Sequence, residues 1–321
     1  MIETNTHQNE IDNIVNALYL KSKRAFSRKL AKLKKQALYF SPFYREFIYK
    51  IIKNKSLLIN DTYRGGSTYS NSNDSNKLQG KQKSYISVDI DEVDILPHEL
   101  GHAVDFWFES NNALTSHVIL SNGNTLEEIF VEEFNSNQGK IYELVMNEYK
   151  EIINSNINDK AYDLLMINMP IYQMLLNIKV NLDDKKITSK RRRLQSTLYE
   201  SGFVDTYYLL YERKCFSVLN NKYSPILDAL SSRYDFSGLL LDHHEYDYYA
   251  LSKGHEAREF FANVFEAKVT SKHVQFDNLI KLLPRSFNAF EELFDIFYSH
   301  IMNNKRFTDV RFRKDSDNNG L

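Results

Sequence analysis

The pentapeptide His98-Glu99-Leu100-Gly101-His102 constrains this chain more than any other feature. An α-helix turns about 100° per residue, so positions i and i+4 lie on one face, one turn apart. His98 and His102 can therefore both aim an imidazole nitrogen at one metal ion. Glu99 then stands beside the ion, where it can hold a water molecule and accept its proton. Gly101 lets another segment approach closely, and Ala103, Val104 and Phe106 give the helix a face to bury. Asp105, one turn beyond His102, is placed to orient that histidine, to cap the helix or to face solvent. Three fixed residues in five positions also occur on ordinary surface helices, so the pattern needs support from elsewhere in the chain.

A catalytic zinc ion usually has three protein ligands and a water. The single cysteine, Cys215, excludes both a cysteine cage and an internal disulfide. Three stretches offer the missing ligand. Residues 126–134, LEEIFVEEF, carry Glu127, Glu128, Glu132 and Glu133. Residues 241–249, LDHHEYDYY, carry His243 and His244. Residues 255–268, HEAREFFANVFEAK, carry Glu256, Glu259 and Glu266. In the last, Phe260, Phe261, Val264 and Phe265 form an apolar stripe, while Glu256, Glu259, Asn263 and Glu266 share the other face. A carboxylate flanked by core phenylalanines is held rigidly near the interior. This favours Glu259, with Asn263 one turn on as its partner.

The 321 residues, 42% hydrophobic, suffice for one large domain or two small ones. Abundant Tyr and Phe with scarce Gly and Pro favour a helix-rich globular chain. The net charge of −1 gives no global argument for nucleic acid, and the basic runs at 21–35 and 185–194 read as solvated helix faces. No stretch approaches the ~18 unbroken apolar residues of a membrane span. The N-terminus lacks the basic start and apolar core of a Sec signal. The expected location is the cytoplasm of the producing cell, with any release by a non-classical or phage route. Residues 9–39 read as a long helix, Ser41-Pro42 as a helix start, 64–84 as a loop and 126–222 as mostly helical, with a frayed tail from about 303. YISVDID, at 85–91, reads as a half-buried strand just before the metal helix, with an edge that a substrate peptide would join.

HELGHAVD followed by EFFANVF resembles the zinc-peptidase domain of anthrax lethal factor and its relatives, including the Pro-Pro endopeptidases. A longer pattern is similar to zincin-like domains of phage head-morphogenesis proteins and mobile elements. It runs RGGSTYSNSN, SYISVDID, LPHELGHAVDF, ILDALSSRYDFSG, HHEYDYY and EAREFFANVFEA, and the two matches cover roughly 62–108 and 223–295. The resemblance implies a gluzincin. Zn2+ would sit on His98, His102 and Glu259, with Glu99 as general base and Tyr248 as oxyanion donor, Tyr249 being the alternative. It implies an α+β, helix-rich fold with a small, mostly antiparallel sheet over the HExxH helix and a C-terminal helical lobe, zinc lying in the cleft between. The regions would be an N-terminal helical region (1–60), sheet and HExxH helix (61–108), a helical insertion (109–222), the C-terminal zincin lobe (223–302) and a flexible tail (303–321). The implied activity is zinc-dependent endopeptidase cleavage of a protein or peptide substrate. Two alternatives are a regulatory protease cutting a repressor in its own cell, and a non-enzymatic phage structural or binding module on the same scaffold.

Overall fold

The structure is a computed structural model that describes residues 2–19, 27–55, 57–61, 68–71, 84–88, 95–111, 113–156, 217–232 and 254–313. The helices are α1 (Ile2–Tyr19), α2 (Ser27–Tyr39), α3 (Arg45–Lys55), α4 (Ile95–Asp105), α5 (Leu126–Asn156), α6 (Ser217–Ser231), α7 (His255–Val269), α8 (His273–Leu282) and α9 (Pro284–Met302). None of the described helices is long and apolar enough to cross a membrane.

The expected α+β class is corrected. Helices dominate the described residues, and the strands are β1 (Leu58–Asp61), β2 (Thr68–Asn71) and β3 (Ser84–Val88), beside an isolated antiparallel bridge between Val118 and Phe312. The strand order is β1-β3-β2, with β3 parallel to β1 and antiparallel to β2. This is not the mostly antiparallel layer expected over the HExxH helix, which instead gains its main support from another helix. The strand expected to receive a peptide is also the central one. Its backbone bonds on both sides are already taken, so no peptide can add to it.

The chain divides into two compact units, Met1–Ser136 with Gly254–Leu321, and Asn137–Lys253. In the first, a phenylalanine core surrounds α7. Phe260 stacks on Phe130 with centroids 4.3 Å apart, Phe261 meets Phe290 edge-on at 5.6 Å, and Phe47 meets Phe294 at 5.5 Å. Offset and edge-to-face pairs of this kind add to the area they bury. In the second unit, α6 presents Lys222 and Tyr223 to Glu148 of α5.

Helix ends are tied by both local and long-range hydrogen bonds. Thr125 and Glu128 form a reciprocal cap at the start of α5, through Thr125 N–H to Glu128 Oε2 (2.9 Å) and Glu128 N–H to Thr125 Oγ1 (3.2 Å). Glu133 caps α9, accepting the Arg285 and Ser286 N–H groups at 3.0 and 2.7 Å and the Ser286 hydroxyl at 2.6 Å. A carboxylate there satisfies orphan donors and meets the positive end of the helix dipole. Ser41-Pro42 opens a 3₁₀ turn that leads into α3, and the Ser41 N–H bonds Val269 O at the end of α7 (2.8 Å). The tail expected to fray is pinned as far as Arg313. Ile119 N–H bonds Arg311 O at 2.9 Å, Arg313 N–H bonds His117 O at 3.0 Å, and Phe312 packs on Phe108.

Candidate metal centre

Helix α4 is buried at eight of its eleven positions. The exceptions are Ile95, His98 and His102, which are half-buried and share one face at i, i+3 and i+7. The histidines thus form the stripe through which solvent reaches the helix. Pro97 sits in the first turn, where a missing N–H costs nothing. Leu96, Leu100, Ala103 and Val104 fill the interior side. At the far end, Thr115 Oγ1 donates to Val104 O (2.5 Å) and Ser116 N–H donates to Asp105 Oδ1 (2.9 Å). Asp105 is fully buried, so it does not face solvent, and its hydrogen bonding runs to Ser116 rather than to His102. It holds the turn that follows the helix instead. Burial pushes its carboxyl above the ordinary value, against the pull of Ser116, Arg258 and His117.

Helix α7 lies against α4, and the crossing is set by one glycine. A Cβ on Gly101 would stand 2.7 Å from Ala262 Cα and 2.8 Å from Ala262 O, so the two backbones meet with no side chain between them. That approach brings Glu259 to the histidines. His98 Nε2 and His102 Nε2 are 3.1 Å apart, and Glu259 Oε2 is 3.3 Å from each. The imidazoles are nearly perpendicular, at 86°. Glu259 is 1% exposed and the two histidine side chains are 14% and 13% exposed.

These distances fit a zinc ion. Tetrahedral coordination at about 2.0–2.1 Å separates neighbouring donor atoms by roughly 3.3 Å, the edge of the triangle seen here. Two imidazoles and a carboxylate are also a donor set suited to zinc. The electrostatics agree with the geometry. Burial disfavours charge on His98, yet Glu259, Glu99 and Glu266 outweigh it and push the imidazole up to about 10. Burial likewise works against the Glu259 carboxylate, but His102 and His98 hold it well below the ordinary carboxylate range. Glu259, Glu99 and Glu266 thus favour positive charge on the His98 ring.

The structure brings together His98, His102 and Glu259, with Glu99 buried on α4 beside His98. Glu127 pairs with His117, Glu128 with Thr125 and Arg313, Glu132 with Arg285, and Glu133 with the start of α9. The carboxylates of 126–134 are therefore engaged elsewhere. Asn263 donates to the backbone oxygen of Glu259 (2.9 Å), one turn back on the same helix. The polar face of α7 is itself interior, since Glu259, Asn263 and Glu266 are all buried. Tyr248, Tyr249, His243 and His244 lie outside the described residues, as does the basic run 185–194. Sequence reading missed the Asp105–Ser116 bond and the His117–Glu127 pair, because no local pattern announces either. Comparison with family models, curated proteins and solved structures found no match.

Proposed function

We propose that the chain is a zinc-dependent endopeptidase of the toxin or phage type, acting on a protein or peptide substrate. The observation that carries this reading is the near-equilateral triangle of His98 Nε2, His102 Nε2 and Glu259 Oε2, with edges of 3.1, 3.3 and 3.3 Å. His98, His102 and Glu259 would hold the ion. When bound, zinc polarises a peptide carbonyl and lowers the pKa of water.

The remaining work falls to the chain. The partly exposed histidine stripe would admit the substrate on one side of α4. Glu99 takes a proton from the attacking water at its carboxylate and returns it to the leaving amine. Its burial, at 3% exposure, keeps bulk water from competing for that proton. Glu259 would contribute one negative charge that offsets part of the ion's charge while leaving a net positive centre.

Two measurements on the purified full chain test the reading. Metal analysis should return one zinc per chain in the wild type, with loss in His102→Ala and Glu259→Ala. Full zinc in Glu259→Ala would remove that residue from the ligand set. A peptide-library digest should then show zinc-dependent internal cleavage. A wild type that holds zinc and cuts nothing would reject the peptidase while leaving the metal centre.

A further inference from the structure

Glu266 lies seven residues beyond Glu259, two turns along the same face of α7. Its side chain is 11% exposed, and its two oxygens are turned in different directions. Oε1 is held by Lys272 Nζ at 2.5 Å. Oε2 faces the His98 ring, 3.8 Å from Nδ1. His98 Nε2 already points into the triangle, so Nδ1 is the ring's outer nitrogen. We propose that Glu266 is a positioning residue that fixes the His98 ring from behind, with Lys272 anchoring the carboxylate. The inference rests on the metal-centre reading above.

The chemistry follows from the two nitrogens of imidazole. A ligating histidine that gives its outer N–H to a carboxylate is locked in one tautomer and one orientation, and becomes a stronger donor through the inner nitrogen. At 3.8 Å the pair is an ion-pair contact, longer than a hydrogen bond. A carboxylate movement of about 1 Å closes it to hydrogen-bond distance. The anchoring bond from Lys272 keeps Glu266 from rotating away. Both rings meet Glu259 through Nε2, and the arrangement is one-sided because, among the described residues, the carboxylate at an outer nitrogen is seen at His98. Glu266 therefore acts through one arm of the site and touches neither the ion nor the substrate.

The test is zinc affinity of the full chain, measured by competition with a chromophoric chelator, alongside the metal-free melting temperature of each variant. Removal of such a partner typically weakens metal binding about 10–100-fold. Glu266→Ala should show that loss. Glu266→Gln keeps the shape and an acceptor oxygen and should fall between it and the wild type. Lys272→Gln removes only the anchor and should weaken binding less than Glu266→Ala. The visible spectrum of the cobalt(II)-loaded protein should change in Glu266→Ala, because ligand geometry sets it. Wild-type affinity and spectrum in Glu266→Ala would overturn the proposal. So would equal losses in Glu266→Ala and Lys272→Gln, which would assign the effect to the ion pair between α7 and the turn before α8. A wild type that binds no zinc would overturn the metal centre and this proposal together. Binding that is lost in His102→Ala but insensitive to Glu266 would overturn this proposal alone.

Discussion

Glu99 differs from its neighbours in what its replacement should reveal. His98, His102 and Glu259 supply the converging donor atoms, whereas Glu99 sits next to His98 on the same helix and contributes none of them. Glu99→Gln preserves size and much of the hydrogen bonding but removes the proposed proton acceptor. It should retain wild-type zinc content and melt close to the wild type, while peptide cleavage falls by roughly 10²–10⁴-fold. Undiminished cleavage by this variant would mean that another group takes the proton.

Between elements, the decisive contact is the crossing of α4 and α7. Alanine is the better helix former by about 1 kcal/mol, so propensity alone predicts that Gly101→Ala stabilises the protein. The crossing predicts the opposite. The new methyl would stand 2.7 Å from Ala262 Cα, and backbone cannot swing aside as a flexible side chain can. Overpacking of this kind costs about 1–3 kcal/mol, enough to outweigh the propensity gain. Because both histidines ride on α4 and Glu259 rides on α7, the helices cannot part without widening the triangle. Gly101→Ala should therefore lower both melting temperature and zinc affinity. A variant more stable than wild type with unchanged affinity would show that the helices tolerate the methyl.

Across the first compact unit, a second polar link joins the turn after α4 to the starts of α5 and α7. His117 Nε2 meets Glu127 Oε2 at 2.5 Å, and Glu127 Oε1 packs over Gly254, 3.0 Å from where a Cβ would stand. Gly254 has φ +85°, a left-handed conformation that glycine adopts without steric cost, directly before α7. The His117 hydrogen bond holds the Glu127 carboxyl below its ordinary value of 4.5, against the opposing effect of burial and with further help from the charges of His117 and Arg258. A depressed carboxyl stabilises the fold fully above the unfolded value, and that contribution is lost as pH falls through the folded value. Glu127→Gln should thus melt below the wild type at pH 7. The gap should start to close as pH drops below about 4.5 and vanish below the depressed folded value, where the carboxyl is protonated in both the folded and the unfolded chain. Thermal melts of the two proteins between pH 7 and pH 3 check this, and a constant gap would mean that ionisation of Glu127 is not its source.

The histidine pair, its neighbouring glutamate and the apolar stripe of α7 were legible in the chain because each lies within one helix. There, backbone geometry alone converts residue spacing into distance. The tightness at Gly101 was foreshadowed by its missing side chain, but not the residue that fills the space. Only the tertiary structure decided that Ala262 occupies it and that Glu259, rather than a carboxylate of 126–134, reaches the histidines. It also decided that Glu266 stands behind His98, that Asp105 turns inward to Ser116, and that β3 is flanked on both sides. The reason is the same in each case. Which helix faces or strands meet depends on burial summed over residues far apart in sequence, and no local spacing records that sum.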